Sequence, residues 1–353
     1  MFHARMFNEK LSYRNAFWDE AKKFPKEDRP VIVQFCGGDA DQLLRAAKVV
    51  EPHCDAVDIN CGCPQGIARR GNYGAFLLEQ GDLLVSIVQK LVENLSVPVT
   101  VKVRILPSGV EPSLDLYRRL IDAGASMLTI HGRTRHQKGH DTGVADWGAI
   151  KRVVQEFGHI LPIIANGGIS NMDDVRKCIE FTGADGVMSS EAVLEYPALF
   201  SGDSHTSESG HKRKGPGKMQ LAREYLALAE AHPTDVGGQG SGLKCVRTHL
   251  HHFLHGELQE NPIVRDAAVV AYSYEELWNV IEKVELHRKD QQHTKENEIQ
   301  DWYFRHRILG ENGEYVAKSL LFGKTQKIQQ IELDDDTGGC MAGMFGGDDD
   351  DCW

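Results

Sequence analysis

Six apolar strand-like runs alternate with amphipathic helical stretches, the runs are short, and polar or glycine-rich residues cluster just after each of them. These three patterns predict an α/β fold of the (β/α)8 barrel class, followed by a small helical C-terminal domain. An open doubly wound sheet would gather its ligand contacts at one switch point, not at the ends of six successive strands.

The strands are expected at Val31–Cys36, Ala56–Asn60, Val99–Ile105, Met127–His131, Pro162–Ala165 and Gly186–Ser189. Between them, Leu43, Leu44, Ala47 and Val50 make one helical stripe, and Leu84, Ile87, Val88 and Leu91 a second. Leu116, Tyr117, Leu120 and Ile121 form a third, Ile150, Val153, Val154 and Phe157 a fourth, and Met172, Val175, Cys178 and Ile179 a fifth. The polar clusters after the strands are Gln34, Asn60 to Cys63, Lys102 with Arg104, His131 with Arg133, Asn166 to Gly168, and Ser189 to Glu191. That end of the strands is where such barrels carry their active sites.

The domain expectation is a barrel over 1–200, a linker rich in Ser, Gly, His and Lys over 201–218, helices over 219–325 and an acidic tail over 326–353. In the helical part, Leu221, Tyr225, Leu226, Leu228 and Ala229 form one stretch and Leu243 to Leu254 another.

Composition narrows the class. The 353 residues are 41% hydrophobic and 26% charged, ordinary for a globular protein. No run of eighteen apolar residues is present, so no membrane span is expected, and the start Met-Phe-His-Ala-Arg has no apolar signal core. Eight cysteines without regular spacing point to a reducing compartment, with cytoplasm or nucleus as the expectation. The net charge of -11 is concentrated at the end: residues 331–353 hold eight acids and neither Lys nor Arg. Without those eight, 40 basic residues face 43 acidic ones, a net of -3 that leaves room for a local basic face. The tail itself is expected to be a disordered solubilising segment.

The densest chemical signal is Asp58-Ile59-Asn60-Cys61-Gly62-Cys63-Pro64, followed by Gly71-Asn72-Tyr73-Gly74-Ala75-Phe76-Leu77-Leu78. Gly62 and Pro64 stop a buried strand and turn the chain out, which holds Cys63 at a strand tip on restricted backbone. Arg69 and Arg70 follow, and the glycines Gly71 and Gly74 allow close backbone approach. A thiol there, beside glycines and arginines, is placed for chemistry on an anionic ligand. Cys54, Cys178 and Cys245 sit in apolar or helical settings and read as small buried groups. Cys61-x-Cys63 lacks the second ligand pair of a zinc site, so no metal is expected.

Asn-x-Gly-Cys-Pro, a basic segment and Gly-x-x-Gly-Ala-x-Leu-Leu resemble the signature of the tRNA-dihydrouridine synthases, in particular the eukaryotic type acting on D-loop uridines 16/17. The resemblance continues through Val33-Gln34-Phe35, Val101-Lys102-Val103-Arg104, His131-Gly132-Arg133-Thr134-Arg135, Asn166-Gly167-Gly168 and Gly186-Val187-Met188. It covers roughly residues 1–200 in order and spacing, and more weakly to about 255. The function it implies is flavin-dependent reduction of the uracil C5=C6 bond in tRNA. NADPH or NADH is the reductant, FMN the bound cofactor, tRNA the partner, and a monomer is expected.

By the same resemblance, Cys63 gives the proton to C5 and must therefore stay a thiol. Lys102 is expected near the flavin N1–O2 edge, with Gln34 on the polar edge of the ring and His131 close by. Asn166, Gly167 and Gly168, with Ser190 and Glu191 in the following loop, match the phosphate site of such barrels. Glu191 departs from the glycine or arginine of many relatives, and it is tolerated beside a phosphate only if its side chain points away. Asn60 is expected to orient the target base, and Arg133 and Arg135 to meet tRNA phosphates. The target uridine has to leave the tRNA stack to reach the pocket. Lys244 and Arg247, with His249, His251, His252 and His255, fit a basic helix on the tRNA backbone, against the alternative of a solvated helix face.

A barrel closes with eight strands and six are visible; Met1 to Phe7 resembles the segment just after the family's second strand. About one and a half βα units are expected to be missing, with poor expression and little bound flavin as the consequence. Two other readings stay open: a dihydroorotate-dehydrogenase-like FMN oxidoreductase, and a truncated, inactive barrel that retains RNA binding. The first needs no tRNA-gripping domain and carries its base outside an Asn-x-Gly-Cys-Pro context. Absorbance near about 450 nm separates both enzyme readings from the second.

Overall fold

The computed structural model of the chain describes residues 1–18, 29–201, 216–233, 242–291, 303, 307–309 and 315–317. The expected tail over 326–353 lies outside the described residues, as does nearly all of the linker over 201–218. Contacts divide the chain into two compact units: one is built mainly from Met1–Gly168 and Arg176–Met188, and the other mainly from Ile169–Val175 and Ser189–Gly313.

The first unit is built on one parallel sheet in sequence order: β1 (Phe2–His3), β2 (Ile32–Cys36), β3 (Ala56–Cys61), β4 (Val99–Arg104), β5 (Met127–His131), β6 (Ile163–Asn166) and β7 (Gly186–Met188). Neighbour pairing in strict sequence order is the βαβ repeat of a (β/α)8 barrel. The six expected strands are present, their ends shifted by no more than a residue. β1 is additional. It pairs Phe2 with Phe35 and His3 with Cys36, and two residues are too short to carry a periodic signal. Phe2 packs 5.8 Å from Phe35, and Phe7 lies 5.4 Å from both, so this short strand is held by an aromatic cluster.

Register sorts the side chains into two sets. Phe35, Ile59, Val101, Leu128 and Ile163 align across five strands, and Cys61, Val103, Ile130 and Ala165 make the next such row. All nine are essentially inaccessible to solvent. The alternate positions are polar: Gln34, Asp58 and Thr100 align, as do Asn60, Lys102 and Thr129, and then Arg104, His131 and Asn166. Because side chains alternate along a strand, one face receives the apolar rows and the other carries the chemistry.

The helices supply partners for the apolar face. Ala40–Val50 buries Leu43, Ala46, Ala47 and Val50, and Gly81–Asn94 buries Leu84, Ile87, Val88 and Leu91. Val110–Asp122 and Trp147–Phe157 repeat the pattern through Tyr117 and Leu120, and through Ile150 and Val153. Asp39 and Asp146 start two of these helices by accepting the N–H of Gln42 and Ala149. In Met172–Thr182 the expected stripe is narrower, since Cys178 is buried but Ile179 is 39% exposed.

The second unit is mainly helical: Glu191–Glu195, Lys218–Ala231, Leu243–Phe253, His255–Glu260, Pro262–Val270 and Tyr274–Gln291. Within the stretch expected to be helical over 219–325, Arg307–Leu309 and Tyr315–Ala317 are short strands instead. Leu226, Leu250, Phe253, Leu254, Leu277 and Ile281 form its core. Leu228, read as part of the apolar stripe, is 62% exposed.

Candidate active site

Strand β3 ends at Cys61, and the turn beyond it is shaped by one side chain. Asn60 Oδ1 accepts the N–H of Gly62 at 3.1 Å and the N–H of Cys63 at 3.0 Å. Two backbone donors on one amide oxygen make a local Asx-type turn that fixes where Cys63 points. Its other side is closed by Gly74. The Ala75 N–H donates to Cys63 O at 2.9 Å, and a Cβ on Gly74 would lie 2.6 Å from that same oxygen. Gly74 also has φ +65°, so only glycine fits there on both counts. The close backbone approach expected at the second glycine pair is therefore to Cys63 itself.

Burial raises the Cys63 pKa above its ordinary value, while a backbone hydrogen bond, Arg104 and Lys102 pull the other way. Cys63 is thus a thiol at neutral pH, beside two cations that would soften the cost of its anion. Cys61 is fully buried on the apolar face, where desolvation pushes its thiol far up. One cysteine is in the site and its neighbour is in the core.

Lys102 lies between Val101 and Val103, both with no exposure, and is itself partly buried on the polar face. Desolvation and then Arg104 bring its pKa down to about 8, with Asp58 acting against them. Arg104 is the more deeply placed of the two cations. Its Nε donates to Gly62 O at 2.7 Å and its Nη1 to Thr134 O at 2.7 Å, which ties the Cys63 turn to the loop after β5. Desolvation, then Arg133, lowers it to about 10.

A hydrogen-bonded chain runs across the polar face. Thr100 Oγ1 donates to Asp58 Oδ1 at 2.6 Å, and Gln34 Nε2 donates to Asp58 Oδ2 at 2.7 Å. Gln34 Oε1 then accepts from Asn60 Nδ2 at 2.9 Å. Gln34 and Asn60 are brought together, but much of their polarity is used on each other. Asn60 in particular holds the turn. Asp58 and Thr100 are site residues that the sequence reading does not single out. The available signal is their polarity at alternate positions of otherwise apolar strands.

His131 ends β5, and Arg133 follows it in the loop. Arg133 Nη1 lies 3.0 Å from His131 Nε2, and Nη2 donates to Gly143 O at 2.9 Å. A guanidinium only donates, so His131 Nε2 is the acceptor and its proton sits on Nδ1. Arg133 is 5% exposed, which corrects the expected phosphate contact: its guanidinium orders the loop after β5. Arg135 is the outward one. It pairs with Glu79 and lies 5.4 Å over the Phe76 ring. Together with Pro64, Gly66, Arg69, His136 and Lys138 these residues line a cleft of about 390 Å³ that begins immediately after Cys63.

Asn166 closes the sheet side of the site by donating to Met188 O at 2.8 Å. Gly167 and Gly168 have φ +100° and +81°. A Cβ on Gly167 would come within 2.9 Å of His131 Cδ2, and one on Gly168 within 2.9 Å of Trp147 Nε1. Glycine is required here by packing as well as by conformation. Ser190 and Glu191 belong to the second unit, where Glu191 opens a five-residue helix.

The second unit also revises the basic helix. Arg247 Nη1 donates to Val269 O at 2.7 Å and Ala271 O at 3.2 Å, capping the end of Pro262–Val270, so its role is structural. His251 and His252 are 3% and 2% exposed, inside the helical core. His249 Nδ1 lies 2.7 Å from Tyr225 Oη. Lys244, near the start of the same helix, is partly buried. Sequence periodicity assigns these residues to one helix but does not say which side faces inward.

The residues on the polar face fit the ring edge of a flavin: one partly buried cation, Lys102, and two amides, Gln34 and Asn60, presented on one surface. Among the described residues no group of three or more His, Cys, Asp and Glu is arranged to hold a metal ion. No helix among them is long and apolar enough to cross a membrane.

The dihydrouridine synthase family profile matches residues 1–300. The chain is similar to the tRNA-dihydrouridine(16/17) synthase [NAD(P)(+)] of Schizosaccharomyces pombe, 48% identical over 71% of this chain and 60% of the relative. It is similar to the counterpart from Saccharomyces cerevisiae, 38% identical over 81% and 66%, and to the mouse protein named as like these synthases, 41% identical over 75% and 51%. The chain thus spans between 51% and 66% of the length of these relatives. With the family profile matching residues 1–300 and relatives of this kind at 38–48% identity, this chain belongs to the dihydrouridine synthase family.

Proposed function

We propose that the chain reduces the C5=C6 bond of a D-loop uridine in tRNA, at position 16 or 17, with FMN as its flavin and NADPH or NADH as reductant. The observation that carries this reading is Cys63 held on a rigid turn with Lys102 and Arg104 beside it. When bound, the reduced flavin supplies hydride to uracil C6.

The rest falls to the chain. As negative charge develops on C5 and O4, the Cys63 S–H bond breaks and a C5–H bond forms. The thiolate left behind faces Lys102 and Arg104 and regains its proton from solvent. Lys102 balances negative charge at the N1–O2 edge, and Gln34 hydrogen-bonds the ring from β2. Arg135, with Arg69 and Lys138 around the same cleft, takes a phosphate of the tRNA backbone next to the extruded uridine. Lys244 adds a backbone contact from the helical unit.

The test uses the full chain supplied with FMN, NADPH and unmodified tRNA, with dihydrouridine read by mass spectrometry. Cys63→Ala is expected to bind tRNA as the parent does and to lose a factor of about 10² to 10⁴ in turnover. Cys61→Ala is expected to lower stability and leave turnover within a few-fold. Equal turnover in the parent and Cys63→Ala would overturn the reading.

A further inference from the structure

We propose that Asp58 is a positioning residue whose ionised carboxylate, acting through Gln34 and Asn60, sets the donor–acceptor polarity that holds the Cys63 turn. An ionised carboxylate only accepts, so it fixes Gln34 with its NH₂ toward Asp58 and its carbonyl toward Asn60. Asn60 must then turn its NH₂ to Gln34 and its oxygen to the loop. That oxygen is the acceptor of both the Gly62 and Cys63 N–H groups. Each amide alone has two orientations of nearly equal shape, and only the correct one offers an acceptor to two backbone donors.

The four contacts from Thr100 to Cys63 measure 2.6, 2.7, 2.9 and 3.0 Å, with no gap for a bridging water. Thr100 is the second anchor, because its hydroxyl keeps Asp58 from rotating. Asp58 is 5% exposed, and Lys102 faces it as the nearby positive charge. A charged group this deeply placed is costly unless it is paired and bonded, and here both oxygens are bonded. Desolvation raises its pKa to about 6, which still leaves it mostly ionised at pH 7.

Replacing the carboxylate by an amide removes the rule. The new side chain of Asp58→Asn could present its own NH₂ to Gln34. Gln34 would then flip, Asn60 would flip in turn, and an NH₂ would face the two loop N–H donors. The turn opens in that arrangement. The same logic gives a rescue: Asp58→Asn with Gln34→Glu moves the acceptor-only group by one step, so Asn60 is again held with its oxygen to the loop.

The readout is the rate at which iodoacetamide modifies Cys63, followed by peptide mass spectrometry on the full chain and checked by circular dichroism. Asp58→Asn is expected to raise that rate about tenfold, as two backbone hydrogen bonds on the turn are lost. The double variant is expected to return within about threefold of the parent. Turnover on tRNA in Asp58→Asn should fall about tenfold, with the tRNA KM within about twofold. That last part rests on the proposed reduction; the alkylation rates do not, so the two failures are distinguishable. An unchanged alkylation rate in folded Asp58→Asn, or a double variant as fast as the single one, overturns the proposal. Should Asp58→Asn not fold, Gln34→Leu cuts the chain one step later and leaves Asp58 bonded to Thr100. Its Cys63 rate is expected to rise equally, and parental reactivity would refute the relay.

Discussion

Gly74→Ala tests the packing that defines the thiol's position. The Cβ would arrive 2.6 Å from the Cys63 carbonyl oxygen and 3.0 Å from Cys63 Cβ, against an ordinary contact of 3.4 Å or more. The turn therefore has to retreat by about 0.8 Å, and backbone atoms offer no flexible end to absorb it. The conformation adds its own term: a side chain at φ +65° is disfavoured by about 1–2 kcal/mol. Overpacking contributes about 1–3 kcal/mol more. The expected loss of stability is roughly 2–5 kcal/mol, with a fall in turnover of about 10²-fold, since a misplacement near 1 Å has that effect. Gly139→Ala is the control. Its φ is +53° but nothing lies within 4 Å of the new Cβ, so it isolates the conformational term. Urea denaturation of the full chain gives the stabilities, and dihydrouridine yield per minute gives turnover. Equal destabilisation of the two variants, or turnover in Gly74→Ala within about threefold of the parent, would refute the steric reasoning.

Charge on the helical unit separates two roles: Lys244→Glu should weaken tRNA binding and reduce its salt slope by about one, with the melting temperature unchanged. Arg247→Ala, which uncaps Val269 and Ala271, should instead lower stability by about 1–3 kcal/mol, seen as an earlier melting transition. Asp58 binds its proton more tightly folded than unfolded, because burial raises it from 3.8 to about 6. Its contribution to stability therefore falls as pH rises from about 4 to 6, by roughly 3 kcal/mol in all, and Asp58→Asn should lose that part of the slope in urea titrations. Lys102, brought down to about 8, should make flavin affinity decline as pH rises through that value, followed by fluorescence titration. Lys102→Met should be weak and flat over the same range.

Alternation makes the sheet legible: Val101-Lys102-Val103-Arg104 can only be a strand with one apolar and one polar face, and it is. Cys63 and the glycines are legible because turn chemistry is local. The relay from Asp58 is not, since Gln34, Asp58 and Thr100 meet only when register aligns three strands. Arg133 and Arg135 look alike in sequence, yet one is 5% exposed and the other lines a cleft, a difference of two positions along a curving loop. Arg247 and the buried histidines mislead for the same reason. Charge says what a side chain prefers, but neighbouring helices decide what it meets.

The two-faced register has a consequence for how the sheet assembles. Were β4 to pair one residue out of step, Lys102 and Arg104 would enter the helix-facing layer and Val101 and Val103 would replace them above the thiol. A lysine and an arginine driven into hydrocarbon without partners would cost far more than the few hydrogen bonds that separate correct from shifted ladders. The residues that equip the site are thus also a proofreading mark on the sheet: chains that misalign are penalised by the charges of its polar face. Neutralising Lys102 and Arg104 together would remove two functional groups and a guard against misfolding in one step.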